Sequence, residues 1–84
     1  MSNYWDTVKY WKAYLKYLYT DLERAYLEEE FNSKKLELLR KYAVPEDNGR
    51  FIEIYNQLYT VQTQIIVIKH NITYAQKAVG RFID

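Results

Sequence analysis

Between Phe51 and Phe82 the apolar residues fall at Phe51, Ile54, Leu58, Val61, Ile65, Ile68, Ile72, Ala75, Val79 and Phe82. These positions alternate strictly by three and four, the spacing that keeps one face of a helix turned toward a second helix. A seam longer than four heptads cannot be buried by a short element, so the rest of the chain has to supply a helical partner of matching length.

The preceding segment supplies it. Tyr4, Val8, Trp11, Leu15, Leu18, Leu22, Ala25, Glu29, Asn32, Leu36 and Leu39 repeat the same alternation without a break in register. Two of these positions are polar. A carboxylate or amide facing inward must reach water or a partner, so Glu29 and Asn32 are expected to pin alignment, to reach out to solvent, or to line a polar pocket. Between the two patterns lies Ala43-Val44-Pro45-Glu46-Asp47-Asn48-Gly49, the one cluster of helix breakers. The spacing therefore predicts one domain over residues 1–84, with a first helix over about 4–42, a loop over 43–49 and a second helix over about 50–83. At the rise of an α-helix they are roughly 58 Å and roughly 50 Å long, and a short connection makes them antiparallel neighbours. Ser2 or Asn3, with Asp6, is expected to cap the first helix, and Asp47 or Asn48 the second. The fold class is all-α, a coiled-coil-like helical hairpin.

The hairpin has more apolar surface than one seam consumes. On the first helix a second row runs through Tyr10, Tyr14, Tyr17, Phe31, Leu38 and Tyr42, with Asp21, Arg24, Glu28 and Lys35 among them. On the second helix Ile52, Tyr55, Tyr59 and Ile66 form another. Together these rows are expected to make a contiguous apolar patch, of the kind that pairing with a second hairpin covers by closing a four-helix core. A homodimer or larger oligomer is the expectation, and tyrosine suits its rim because a large ring carries a hydroxyl that tolerates water. In outline the architecture resembles the small dimeric hairpin regulators of the Rop family; no motif of that family is present, so its RNA-binding role is not carried over.

Composition narrows the function classes. There are no cysteines and one histidine, which leaves no thiolate or histidine-rich metal site, and no cofactor is expected. Twelve Lys and Arg against eleven Asp and Glu give a formal charge of +1, with no global pull toward a polyanion. The charge is arranged in blocks: +2 over residues 1–20, −4 over 21–30, +3 over 31–42, −2 over 43–60 and +2 over 61–84. Folding at the loop is expected to bring Arg40 to Glu53. No signal-like segment opens the chain, and the least charged stretch, 54–68, is too short for a bilayer and holds Asn56, Gln57, Gln62 and Gln64. The expectation is a soluble, intracellular protein. Richness in Tyr, Ile, Lys and Asn suits an AT-rich viral or thermophile genome.

Three constellations bear on chemistry. His70 falls opposite the seam beside Lys69, with no carboxylate three or four residues away to orient it for acid-base work. Glu28-Glu29-Glu30 are consecutive and point in different directions, and Asn71-Ile72-Thr73 matches a glycosylation sequon inside the helical seam. Lys9, Lys12 and Lys16 share a helical face amid aromatics and could meet phosphates while rings stack on bases. The reading is a non-enzymatic interaction protein, an adaptor, regulator or assembly unit whose partners are itself and another protein, with no membrane and no small-molecule substrate. The alternative is a nucleic-acid-binding regulator using Lys9, Lys12 and Lys16 with the neighbouring rings.

Overall fold

A computed structural model of the chain describes the backbone of residues 4–83 and the side chains of residues 7–81. The expected caps at Ser2 and Asn3, the Asp6 side chain and the inward side chains of Tyr4 and Phe82 lie outside the described residues. Two helices make up the fold, α1 over Tyr4–Lys41 and α2 over Gly49–Ile83. Both match the expected elements to within a residue. They pack against each other in a rod of 65 × 18 × 14 Å, the shape of two long helices side by side. Helix α2 is rich in β-branched residues that lose rotamer freedom in a helix, so its stability comes from packing its inward face rather than from intrinsic propensity.

The loop closes both helices. Ala43 adopts a left-handed conformation, with φ of 55°. Its N–H donates to the Arg40 carbonyl at 3.0 Å and the Val44 N–H to the Leu39 carbonyl at 3.0 Å, the paired bonds that end a helix when the residue past its end turns left-handed. Pro45 follows and cannot continue α1. The Asn48 side-chain oxygen then accepts from the Arg50 N–H at 2.9 Å, which satisfies one of the free donors at the start of α2. Of the two expected caps it is Asn48 that performs.

Every inward position with a described side chain is buried or half-buried. Leu18 and Ala25 of α1 join Val61, Ile65, Ile68, Ile72 and Ala75 of α2 in one core, with Trp11, Leu15, Leu22 and Leu58 packed against it. Phe51 is fully buried at the loop end. Three contacts along one edge fix the register: Arg40 Nη2 donates to the Tyr55 hydroxyl at 2.5 Å, the Lys69 ammonium lies 5.5 Å from the centre of the Tyr26 ring, and Gln76 Nε2 donates to the Tyr19 hydroxyl at 2.7 Å. From each contact to the next α1 retreats by 14 and then 7 residues while α2 advances by the same amounts. Those are whole heptads, so the two seams stay in phase along the contact.

Candidate interaction surfaces

The register decides where the two apolar rows go. Tyr19, Tyr26 and Arg40 directly follow inward residues Leu18, Ala25 and Leu39, as Tyr55 follows Ile54. All four meet on the edge just described, which places the row Ile52, Tyr55, Tyr59 and Ile66 there as well. In α1, Tyr14 and Lys35 instead precede Leu15 and Leu36. The row Tyr10, Tyr14, Tyr17, Phe31, Leu38 and Tyr42 therefore occupies the opposite edge. The expectation of one contiguous patch gives way to two separate strips. The cause is geometric: an antiparallel pair brings like flanks of the two helices together, and these rows lie on unlike flanks.

Nine of the ten row residues are exposed, and Tyr14 is half-buried against the core. Phe31 is 63% exposed, with the Lys35 ammonium 4.6 Å from its ring centre. At the end away from the loop the Tyr14 edge carries a ring cluster: Trp11 makes edge contacts with Tyr10, Tyr14 and Tyr74 at centroid distances of 5.4, 5.9 and 5.8 Å. Tyr74, Tyr19, Tyr26, Leu27 and Val67 are exposed apolar residues that the two rows did not include. Tyr19 and Tyr26 were findable from their place directly after seam residues; Tyr74 becomes part of the Tyr14 edge only through its neighbour on the other helix.

The polar positions of the seam separate in depth. Asn32 is 8% exposed and lines an open cleft of about 450 Å³ with Glu28, Phe31, Gln57, Thr60 and Gln64. Among the described residues no buried side-chain nitrogen or oxygen lacks a partner, so the Asn32 amide faces the cleft rather than dry core. Glu29 is half-buried. The Lys69 ammonium pKa is raised above its ordinary value chiefly by hydrogen bonding to the Tyr26 side chain, and to a lesser degree by the Glu29 carboxylate. The two polar residues thus leave the seam by different exits, Asn32 toward the Tyr14 edge and Glu29 toward the Tyr19 edge.

Charged side chains pair locally and in the open. Asp21 and Glu28 hold Arg24 at 2.7 and 3.2 Å, and Glu30 lies 3.6 Å from Lys34. Arg40 reaches Glu46 of the loop at 3.5 Å as well as Tyr55. The expected Arg40–Glu53 pair does not form, because Glu53 precedes Ile54 and lies toward the opposite edge. The lysines Lys9, Lys12 and Lys16 are exposed and stand on the Tyr19 side of α1, whereas Tyr10, Tyr14 and Tyr17 lean to the Tyr14 side. Of the rings nearest these lysines in sequence, Tyr10, Tyr14 and Tyr17 are thus turned away from the lysine face, whereas the exposed Tyr19 shares it.

His70 is exposed, Ile72 of the sequon is buried in the seam, and the Thr73 hydroxyl donates to the Lys69 carbonyl at 3.2 Å. Among the described residues no three acidic, histidine or cysteine side chains converge as a metal site, and no helix is long and apolar enough to cross a membrane. Comparison of the chain with protein-family models, with curated proteins and with solved structures finds no match.

Proposed function

We propose that this protein is a non-enzymatic helical interaction protein, an adaptor or assembly unit that binds other polypeptides, including further copies of itself, through the two edges of its hairpin. The observation that carries the reading is the pair of exposed aromatic and aliphatic strips on opposite sides of a long rod. Monomeric proteins rarely leave such area uncovered, and Tyr and Phe supply contact area at low entropic cost. Opposite strips let one rod touch two neighbours at once, which suits a connector. In a homodimer closed as a four-helix bundle, one strip would be covered and the other left for a second protein.

Photo-crosslinking residues placed at Phe31 and at Tyr59 in the native host test this. Adducts with polypeptide, whether a second copy or another protein, are expected from both edges. Adducts with nucleic acid, or none from either edge, would overturn the reading. Sedimentation equilibrium at micromolar concentration should show a species heavier than one chain; a folded monomer throughout would remove self-association from it.

A further inference from the structure

One line of charges on α1 takes no part in either aromatic row. Lys9, Lys16, Glu23 and Glu30 recur at intervals of seven residues and are all exposed. In a helix held in heptad phase against its partner, such residues stay in one straight line. Lys9, Lys16 and Glu23 have no ion-pair partner among the described residues, and Glu30 has only the loose Lys34 contact at 3.6 Å. Two cations followed by two carboxylates at equal spacing form a row that is charge-complementary to its own reverse. Laid antiparallel on a second copy, with the twofold axis between Tyr19 and Thr20, Lys9 meets Glu30 and Lys16 meets Glu23, twice each.

The surface between the charges fits the same alignment. Tyr26 and Leu27, the latter 66% exposed, line a shallow notch of about 330 Å³ between Glu23 and Glu30. Opposite them the alignment places Lys12 and Ala13, so a small exposed side chain and a lysine stem face the notch. Sliding the two copies by one heptad toward the loop sets Glu23 against itself and keeps only the Lys16–Glu30 pairs, and sliding by two heptads sets Glu23 against Glu30 in both copies. Like charges at such contacts disfavour the wrong register.

We propose that this outer line of α1 is a self-recognition surface, which pairs two copies of the chain antiparallel about Tyr19 and Thr20 with Lys9 and Lys16 of each on Glu30 and Glu23 of the other. The inference rests on the binding reading above and adds the partner, the surface and the register. The overlap, residues 9–30, is about 33 Å of helix. It leaves Ile52, Tyr55 and Tyr59, which lie toward the loop from the overlap, and the Phe31 end of the other strip clear for a different protein. It also gives the lysine face a use that needs no nucleic acid.

Charge exchange tests it, with self-association read by sedimentation equilibrium at low salt. The variants are Lys9→Glu with Lys16→Glu, Glu23→Lys with Glu30→Lys, and all four substitutions together. Each double variant makes its line a single sign and is expected to weaken self-association by at least about tenfold. An equal mixture of the two doubles should form a heterodimer, and the fourfold variant should recover the parent's association because its line is again complementary to its reverse. Added salt should weaken the parent. All four positions are exposed, and unchanged far-ultraviolet circular dichroism and melting establish that each variant is folded. Association of the doubles equal to the parent's, or no recovery in the mixture and the fourfold variant, would overturn this surface while crosslinking at Phe31 and Tyr59 still upheld the binding reading. A parent that stays monomeric would overturn it outright.

Discussion

Two stretches of the one seam differ in chemistry while sharing geometry. Where Leu18 and Ala25 meet Ile68, Ile72 and Ala75, the contact is apolar and closed. Where Asn32 stands in the seam with Val61, it opens into a cleft edged by Gln57, Thr60 and Gln64. The heptad spacing is unbroken through both. Helix pairing thus depends on the positions of the inward residues, and the stability of each layer on what fills it. A dry layer stabilises through burial, whereas a wet layer adds little and makes displaced alignments unfavourable, because slipping by a heptad would carry the Asn32 amide into apolar surroundings.

The contrast is broken most directly at Ile68. Ile68→Ala should destabilise by about 2 to 5 kcal/mol, since it removes buried methyl groups and leaves a cavity among residues that cannot collapse freely. Ile65 lies toward the wet stretch, and Ile65→Ala should fall at the lower end of that range. Denaturant unfolding of the two variants checks the order, and an equal or larger loss at Ile65 would mean that the two stretches do not differ.

Filling the wet stretch is the converse change. Asn32→Leu should raise stability by about 1 kcal/mol, because apolar surface replaces an amide that the cleft already solvates. Thermal melting reads the sign; a lower melting temperature would show that the amide contributes more than alignment.

Changes away from both stretches calibrate the comparison. Ala43→Gly should stabilise by up to about 1 kcal/mol, because a left-handed backbone strains alanine and suits glycine, and the gain should raise the melting temperature without altering the Ile68 to Ile65 order. Gly80→Ala should give the smallest shift, a gain of a few tenths up to about 1 kcal/mol from helix propensity. Nothing lies within 4 Å of the added methyl group, so a loss on melting would place an unseen neighbour at that end.

Local rules carried a good deal of this. The seams, the helix limits and the loop with a cap at Asp47 or Asn48 follow from spacing and from backbone chemistry acting within a few residues, and the bond from the Arg50 N–H selects Asn48. The candidate surfaces were legible only in part. Each row could be drawn on its own helix, since the angle between successive residues of a helix is constant. That Tyr10, Tyr14, Tyr17, Phe31, Leu38 and Tyr42 lie across the rod from Ile52, Tyr55, Tyr59 and Ile66 depends on which flanks an antiparallel pair sets together. Arg40 shows the same division at the scale of one side chain. Its nearness to the start of α2 followed from the loop, but the choice of Glu46 and Tyr55 over Glu53 depended on the edge to which each side chain turns.

By itself, then, the sequence determined two long helices, their inward faces and the loop between them, because periodicity and breaker residues act along the chain. Only the tertiary structure decided which exposed residues are neighbours, how deep Asn32 lies and where Glu29 leaves the seam. These depend on the register between the helices, and that register is selected jointly by two sets of side chains when they pack.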